Sequence, residues 1–318
     1  MDTQAPPISS VMIVGSGVMG RAIAQVFAAA GLETVIYRHT PKEDLALPDG
    51  VKLTTTLPAA APDLIIESVY EIFDLKVEVL RRMEDAYGGD AILASNTSGL
   101  PLDDMAAALK RPERFLGMHY FMPAEVSPLV EVVRVAKTAD GVVGQVVAVL
   151  ERCGRQALLV SQPIVGYLWN RLQHAILHEA YHLIETGVVT AEDVDQVAKR
   201  LLGPRFCVTG LIESKDIGGL ETHVLAQHAI VPHLHAGRTP SAILDRKVER
   251  GELGIGTGKG FYDWQGRDAE VVSAAARRKL SRLNAFLEGE MNAGEADLTP
   301  GPSVASNYLK LRAKKEVS

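Results

Sequence analysis

The sequence predicts a doubly wound, mostly parallel α/β domain followed by an all-α domain. Short apolar runs alternate with stretches of helical periodicity as far as about residue 161, and almost no β-type runs follow Pro163. Alternating strands and helices are typical of a parallel sheet with helices on both faces. We therefore predict an α/β domain over residues 1–161, a helical domain over 162–291, and a mobile tail rich in Gly, Pro, Ser and Ala over 292–318.

The first elements are a strand, a helix and a second strand. Val11 to Val14 are four apolar residues that predict a buried strand, and apolar residues then recur at helical spacing until Gly31. Thr34 to Tyr37 predict the second strand. Further strands are predicted at 51–56, 63–69, 91–94, 115–120, 129–135 and 157–160, and helices at 75–83, 102–109, 141–153, 164–185, 191–202, 220–235, 241–249 and 269–288.

The turn between the first strand and the first helix has the G-x-G-x-x-G spacing. In such a turn the backbone can approach a pyrophosphate, and the helix N-terminus supplies free N–H groups and the positive end of its dipole. We expect the backbone of Gly15, Gly17, Val18, Met19 and Gly20 to bind a dinucleotide. The alternative is a tight turn that binds nothing.

Composition excludes several classes of protein. The chain of 318 residues carries a net charge of -6, and Lys and Arg form no run before the last ten residues, which argues against a nucleic-acid partner. Cys153 and Cys207 have no metal-type spacing and indicate a reducing compartment. The N-terminal residues include no apolar leader, and no uninterrupted apolar run reaches about 18 residues, so we expect a cytoplasmic protein without a membrane span.

Polar clusters fall at the ends of four predicted strands, at 67–71, at 95–98, at His119 and at Glu131. Ligands of doubly wound sheets bind beyond the carboxyl ends of the strands. An imidazole and a carboxylate in one crevice form a general base with an orienting partner, and Ser98 can hydrogen-bond a substrate hydroxyl. Alternatively, His119 is a structural residue and the carboxylates are solvated.

The predicted helix over 164–185 carries an apolar stripe and a histidine motif. At about 100° per residue, one side collects the apolar residues Val165, Leu168, Leu172, Ile176 and Leu183. Asn170 points almost opposite, toward either a cleft or solvent. His178-Glu-Ala-Tyr-His182 matches H-E-x-x-H, with His174 at helical spacing, but this short pattern is frequent by chance. We expect a histidine-rich packing face and no metal.

Together these clusters resemble the motifs of the L-3-hydroxyacyl-CoA dehydrogenase family. The His-to-Glu interval of 12 residues and the Ser-Asn-Thr-Ser run form the most specific combination. The matches occur in order along most of the chain: Gly15-Ser-Gly-Val-Met-Gly20, Glu67-Ser-Val-Tyr-Glu71 with Lys76, Ser95-Asn-Thr-Ser98, His119 through Glu131, Asn170-Arg171-Leu172, and Gly258-Lys-Gly-Phe-Tyr-Asp-Trp264.

The resemblance implies a Rossmann-type NAD(P)-binding domain and a helical domain that dimerises. It implies an oxidoreductase of fatty acid metabolism that interconverts 3-hydroxyacyl and 3-oxoacyl compounds by hydride transfer. His119 would be the acid/base, and Glu131 would orient it. Further roles come from the resemblance: Ser98 and Asn170 would hydrogen-bond the substrate, and Asn96, Glu71 and Lys76 would lie around the cofactor ribose and nicotinamide.

The chain departs from the family's pattern in three places. The second strand is followed by Arg38 instead of the acid that bonds the ribose 2′-OH, and a guanidinium attracts a 2′-phosphate, so NADP is favoured over NAD. The short stretch from Arg38 to the strand at Leu64 has no room for the helical hairpin that helps to hold CoA. Met122 replaces a polar residue near His119, which indicates an altered acyl pocket.

Three functions remain open at this point. The first is a dehydrogenase of a 3-hydroxyacyl-CoA, and the second is a dehydrogenase of a free small 3-hydroxy acid, as in the gulonate and carnitine branches of the family. The third is a non-catalytic dinucleotide-binding protein, which would not need all four of His119, Glu131, Ser98 and Asn170. We expect a small-molecule substrate and a homodimer, with no nucleic acid or membrane partner.

Overall fold

An eight-stranded sheet organises the first part of the protein. The computed structural model describes residues 6–40 and 45–289, so the predicted tail at 292–318 lies outside the described residues. The strands are β1 (Ser10–Val14), β2 (Glu33–Tyr37), β3 (Val51–Thr54), β4 (Leu64–Glu67), β5 (Ile92–Ser95), β6 (Phe115–Tyr120), β7 (Leu129–Val133) and β8 (Gln156–Val160). Their order is β3-β2-β1-β4-β5-β6-β7-β8, and every neighbouring pair is parallel except β6 and β7. The predicted mostly parallel sheet is confirmed.

Helices cover both faces of this sheet. They are α1 (Val18–Ala29), α2 (Phe73–Tyr87), α3 (Leu102–Ala107) and α4 (Asp140–Arg152), with a 3₁₀ turn at Pro112–Arg114. The buried side chains of α1 and α4 pack on one face and those of α2 and α3 on the other: Ile23, Phe27, Val146 and Leu150, then Leu80, Met83, Leu102 and Met105. Each such side chain stabilises the fold by about 1.5–3 kcal/mol. Because both faces are covered, β4 and β6 contain only buried residues.

The strand order reverses between β1 and β4, and this reversal positions the site. The Ser68 amide, just after β4, donates to the Val14 carbonyl at the end of β1 (2.8 Å), and the Gly15 amide, just after β1, donates to the Tyr37 carbonyl at the end of β2 (3.0 Å). In doubly wound folds the crevice at this reversal binds the ligand. The site is therefore expected beyond the carboxyl ends of β1, β4 and β5.

The second part of the chain is helical. One compact unit ends at His174 and another begins at Ala175. The helices are α5 (Trp169–Glu185), α6 (Ala191–Val197) with a π-helical turn over Ala198–Leu202, α7 (Gly203–Val208), α8 (Glu213–Gly218), α9 (Leu220–Ile230), α10 (Ala242–Glu249) and α11 (Ala269–Glu288), with 3₁₀ turns at Val231–His233 and Ile255–Thr257. In the described part of this unit, β-structure is limited to isolated bridges. The all-α prediction is confirmed, and the boundary near residue 161 stays a prediction.

The long helix begins later than the sequence predicts. We expected it from residue 164, but α5 begins at Trp169 because Gly166 (φ +78°) and Tyr167 (φ +47°) adopt left-handed conformations that interrupt a helix. Val165 and Leu168 therefore lie in the preceding loop, and their placement on the helical stripe was wrong. The short helices α7 and α8, rich in breakers at their ends, were not predicted.

No helix in residues 6–40 or 45–289 is long and apolar enough to cross a membrane.

Candidate active site

The turn after β1 forms a cradle, in which two glycines allow close backbone packing and a third leaves free space. Gly15 has φ +121°, and a Cβ there would collide with the Ser68 carbonyl, while a Cβ on Gly20 would collide with the Gly15 carbonyl. Gly17 instead faces open space, with no atom within 4 Å of a Cβ built there. No side chain caps the first turn of α1, so its N–H groups, including those of Val18 and Met19, face this space. The cradle fits the pyrophosphate of a dinucleotide.

Arg38 follows β2 with unsatisfied donors. Its amide donates to the Thr54 carbonyl (3.1 Å), and its Nη2 makes a long contact of 3.5 Å with the Thr40 hydroxyl. Its Nε and Nη1 are buried and have no hydrogen-bond partner among the described residues. A half-buried guanidinium with two buried, unpaired donors attracts an acceptor, and anions match its geometry best.

A buried ion-pair network follows β4. The Lys76 ammonium, 1% exposed, lies 2.6 Å from Glu67 Oε1 and 3.3 Å from Glu71 Oε2. Glu67 also accepts from the Ser95 hydroxyl at 2.6 Å, and Glu71 accepts from the Ser98 amide at 2.8 Å. Lys76 is therefore committed to these carboxylates, and its contact with a cofactor stays a prediction. Glu71 is partly exposed, so its predicted contact also remains open.

His119 and Glu131 form the predicted pair. They lie directly opposite each other in the antiparallel register of β6 and β7, and directly opposed residues point to the same face. His119 Nδ1 and Glu131 Oε2 are 2.7 Å apart, and the two side chains are 6% and 0% exposed. The single antiparallel pair in the sheet thus brings together an imidazole and a carboxylate that stand 12 residues apart in the sequence.

The loop before α5 holds the other oxygen of Glu131. The amides of Leu168 and Trp169 both donate to Glu131 Oε1 at 2.9 Å, at the N-terminus of α5. The left-handed Tyr167 turns the backbone so that these two successive N–H groups converge. Burial by itself would raise the pKa of Glu131, but the hydrogen bonds from His119, Trp169 and Leu168 outweigh it, and the pKa lies below its ordinary value. Glu131 is therefore an anion at neutral pH.

The charge on Glu131 fixes the tautomer of His119. A carboxylate only accepts hydrogen bonds, so Nδ1 carries the proton and the lone pair is on Nε2. The Tyr167 ring packs edge-on against the imidazole at 5.3 Å between centroids. The histidine is therefore held in position by contacts with its Nδ1 and its ring face, and Nε2 is the nitrogen left to act as the base.

A pocket of about 370 Å³ is lined by three of the four predicted catalytic residues. The predicted residues that line it are His119, Ser98, Asn170, Asn96 and Met19, while Glu131 lies behind His119. The Asn170 side-chain amide approaches the Ser98 carbonyl at 3.5 Å. Asn96 Oδ1 accepts from the Tyr120 amide at 2.9 Å, which holds its side chain beside the pocket. The structure thus brings His119, Ser98 and Asn170 together around one space.

Sequence reasoning missed three aromatic residues of this site. Tyr167 is buried against His119, and its hydroxyl has no partner among the described residues. Burial, together with nearby carboxylates, raises the pKa of Tyr167, so the phenol stays neutral. Phe121 and Trp169 line the pocket. Their closeness to His119 and Asn170 in the sequence was the available signal.

Two histidines of α5, His178 and His182, pack against His235 in the second unit. His182 stacks on His235 at 4.2 Å between ring centroids, and His178 lies 4.6 Å from the same ring. His178 Nε2 is 2.7 Å from the Gly237 carbonyl and donates to it. In the described ranges, no group of three or more His, Cys, Asp or Glu side chains is arranged to hold a metal ion.

By its fold and its pocket, the protein falls in the class of dinucleotide-dependent oxidoreductases. Comparison with protein families identifies the family within this class. The profile of the 3-hydroxyacyl-CoA dehydrogenase NAD binding domain matches residues 10–48 and 42–163, and that of the 3-hydroxyacyl-CoA dehydrogenase C-terminal domain matches residues 166–264. The chain belongs to the 3-hydroxyacyl-CoA dehydrogenase family, as its motifs predicted. The family supports an NAD-dependent oxidoreductase of this type.

Individual relatives differ in the substrate for which they are named. The chain is 28% identical over 306 residues to a 5-formyl-3-hydroxy-2-methylpyridine 4-carboxylate 5-dehydrogenase of Mesorhizobium japonicum, covering 89% of this chain and 99% of the relative. It is 32% identical over 290 residues to a 3-hydroxybutyryl-CoA dehydrogenase of Mycobacterium tuberculosis, covering 81% and 99%. A crystal structure of the pyridine-carboxylate enzyme, described as an NAD+-dependent dismutase, superposes with a TM-score of 0.83 at 28% identity, covering 89% and 99%.

Proposed function

We propose that the protein is an NAD(P)-dependent dehydrogenase of a small hydroxy compound, with His119 and Glu131 as its acid/base pair. One observation carries the proposal: the 2.7 Å contact between His119 Nδ1 and Glu131 Oε2, beside a pocket that Ser98 and Asn170 also line. A dinucleotide-binding protein without catalysis has no need for a tautomer-fixed base at this position.

In this mechanism Ser98, Asn170 and His119 act on the reacting oxygen, and Glu131 acts through His119. Ser98 and Asn170 hold the substrate hydroxyl near His119, and His119 Nε2 removes its proton during oxidation. Glu131 stabilises the imidazolium that results, because its charge lies against Nδ1. When bound in the cradle after β1, the nicotinamide cofactor supplies the two-electron acceptor for the hydride that leaves the carbinol carbon. In the reductive direction, His119 returns the proton to the oxygen.

We infer that the substrate is a free compound and not a CoA thioester. Residues 38–40 and 45–63 contain the strand β3 but no helix, so the described part of this stretch offers no CoA-binding hairpin. The relative named for a pyridine carboxylate supports this choice. The alternative is a 3-hydroxyacyl-CoA substrate, for which the Mycobacterium tuberculosis relative is named.

We also propose that NADP is preferred over NAD. Support comes from Arg38, whose Nε and Nη1 are buried without a partner among the described residues at the end of β2. Replacing Arg38 by Asp would supply an acceptor for a ribose hydroxyl and repel a 2′-phosphate. We expect Arg38→Asp to shift the ratio of kcat/KM values toward NAD by about 10- to 100-fold. Lys52→Asp, on the neighbouring strand, should leave the ratio unchanged, and a wild-type preference for NADH would overturn this proposal.

A substrate panel tests the proposed function. CoA esters and free hydroxy acids should be compared with both nicotinamide cofactors, following the absorbance of the reduced cofactor. Replacing His119 by Gln should lower turnover of every active compound by about 10²-fold or more while cofactor binding, measured by calorimetry, persists. His174→Gln removes an exposed imidazole and is the control. Unchanged turnover in His119→Gln would refute His119 as the base.

We further propose a cytoplasmic homodimer formed through the helical unit. Among the described residues after His174, only Ala180 is buried, while Leu225 and Ile212 are 72% and 73% exposed. Helices without a buried apolar face need another surface to cover them, and a second copy supplies it. The free thiols of Cys153 and Cys207 support a reducing compartment. We also propose that the nucleotide-binding domain ends at residue 161 and that the helical domain begins at residue 162.

The dimer can be tested with charge substitutions on α9. Leu225→Glu should yield a monomer by light scattering, because a carboxylate would be buried in the interface. Gln227→Glu introduces the same charge at an exposed polar position of the same helix and should leave the dimer intact. A wild-type monomer at micromolar concentration would contradict the proposal.

A further inference from the structure

An aromatic wall stands beside the proposed base. The rings of Phe121 and Trp169 are 5.7 Å apart between centroids and inclined by 58°. The His119 imidazole lies 5.2 Å from the Phe121 ring at 81°. All three side chains line the same pocket of about 370 Å³. The wall is therefore within reach of whatever oxygen His119 would deprotonate.

The wall is not covered by the unit to which it belongs. Trp169 is 49% exposed, and Met122, which lines the same pocket, is 70% exposed. Large apolar side chains left open beside a base indicate a surface for an apolar ligand. Among the described residues, no lysine or arginine lines this pocket, and its polar groups include the side chains of Ser98, Asn170 and Gln173. Such a lining suits a neutral ring with hydrogen-bonding substituents better than a phosphate-bearing group.

We propose that the substrate carries an aromatic ring on its reacting carbon and that Trp169 and Phe121 bind this ring. The inference rests on the proposed function and names its substrate class. A flat ring can meet Trp169 and Phe121 in offset or edge-on contact, and the Met122 thioether can lie against the ring edge. A purely aliphatic acyl chain would gain the burial but none of these ring contacts.

Oxidation of such a substrate needs one hydride acceptor and one proton acceptor, which are the dinucleotide and His119. The carbinol C–H bond breaks, and its electron pair leaves with the hydrogen to the oxidised nicotinamide. The hydroxyl proton goes to His119 Nε2, and a C=O bond forms next to the ring. The products are an aryl ketone or aldehyde, the reduced dinucleotide and one proton on His119, which later passes to solvent.

A matched pair of compounds isolates the ring contact. The two compounds 3-hydroxy-3-phenylpropanoate and 3-hydroxy-3-cyclohexylpropanoate share the alcohol, the carboxylate and a six-carbon ring, but only the first has a π face. Aromatic pairs favour the phenyl compound by about 2- to 12-fold beyond burial alone. We expect this ratio of kcat/KM values in the wild type and in Trp169→Phe. In Trp169→Leu it should fall toward one, because only Phe121 of the wall remains, whereas Trp264→Leu, in the second unit, should preserve it.

A binding measurement separates this inference from the proposed function. Dissociation constants from calorimetry with the nicotinamide cofactor present should show the same preference in the wild type and a smaller one in Trp169→Leu. Equal values for the two compounds, or no binding of either, would overturn the ring inference even if turnover of other alcohols depends on His119. Conversely, a phenyl preference in binding together with full turnover in His119→Gln would refute the proposed function and leave the ring site standing.

Discussion

Replacing Glu131 by Gln tests the electrostatic design of the site with the smallest change in shape. In the wild type, Oε1 accepts two amide hydrogens from Leu168 and Trp169, and Oε2 accepts the His119 Nδ1 proton. A glutamine has only one oxygen. If that oxygen faces the two amides, its NH₂ group faces Nδ1 and donates to it. The reverse arrangement places an NH₂ group against two N–H donors and leaves all three unsatisfied, so the first arrangement is favoured.

The favoured arrangement inverts the tautomer of His119. When the NH₂ group of the introduced glutamine donates to Nδ1, the imidazole proton moves to Nε2, and the nitrogen that faces the pocket can no longer accept a proton. The lost charge adds to this effect. At 2.7 Å and an effective dielectric constant of about 20, the attraction between imidazolium and carboxylate is roughly 6 kcal/mol, an upper limit equivalent to about 10⁴-fold in rate. We expect kcat/KM to fall by about 10²- to 10⁴-fold.

The assay needs both kinetics and a direct view of the imidazole. Initial rates of Glu131→Gln should be measured across pH with any active compound from the panel. The ¹⁵N shifts of His119 report which ring nitrogen is protonated. Glu113→Gln removes a surface ion pair with Arg111 and is the control for losing one carboxylate, with turnover expected to be unchanged.

Two results would refute the reasoning. One is turnover of Glu131→Gln within about tenfold of the wild type, because neither the tautomer nor the charge would then matter. The other is a His119 that keeps its proton on Nδ1 in the variant, because the assignment of donors around residue 131 would then be wrong. Thermal unfolding of the variant should be followed in parallel, so that loss of fold is not mistaken for loss of the base.

Three further outcomes are expected. Lys76→Met leaves the Glu67 carboxylate buried and unpaired, so the free energy of unfolding in urea should fall by about 3–5 kcal/mol. Gly15→Ala should destabilise the fold because its Cβ meets backbone, whereas Gly17→Ala should fold normally and weaken cofactor binding measured by calorimetry. The pKa of Glu131 in the folded protein lies below its ordinary value of 4.5. The contribution of this carboxylate to stability is therefore complete above pH 4.5 and is lost as the pH falls through the folded pKa. Unfolding of the wild type and of Glu131→Gln at a series of acidic pH values measures this loss.

Matched variants keep these outcomes specific. Lys110→Met removes an ammonium from an exposed pair with Asp85 and should cause no measurable loss of stability, so equal losses in both lysine variants would contradict the role given to burial. Equal cofactor affinity of Gly17→Ala and the wild type would show that the space beside Gly17 holds no phosphate. An acid limb of the stability curve that is the same with and without Glu131 would contradict its lowered pKa.

The strands and their end residues could be predicted from sequence because both are local signals. The predicted strand at 115–120 agrees with β6, and two of the four polar clusters predicted at strand ends, at 95–98 and at His119, do line one pocket. Parallel strands end on the same edge of a sheet, so sequence position alone is enough to bring Ser98 and His119 close. The family assignment followed from the same ordered residues.

The rest depended on conformations that sequence patterns do not encode. The predicted start of the helix at residue 164 was wrong because Tyr167 adopts a left-handed conformation. Large residues rarely adopt a positive φ, and nothing in the spacing of apolar residues signals it. The same turn directs the amides of Leu168 and Trp169 at Glu131, so the pKa of that carboxyl was also out of reach. The burial of Lys76 between two carboxylates could not be predicted either, because a lysine on an amphipathic helix normally reaches solvent.

The antiparallel β6–β7 hairpin carries the proposed acid/base pair on its strands and the pocket-lining side chains Phe121 and Met122 in the connection between them. His119 and Glu131 are held opposite each other by the register of β6 and β7. Phe121 and Met122 stand in that connection and line the pocket. Exchanges of side chains in this connection, at constant length, would therefore change the pocket while leaving the proposed acid/base pair in register. Substrate preference could therefore change in such a fold without any change in the residues that transfer the proton.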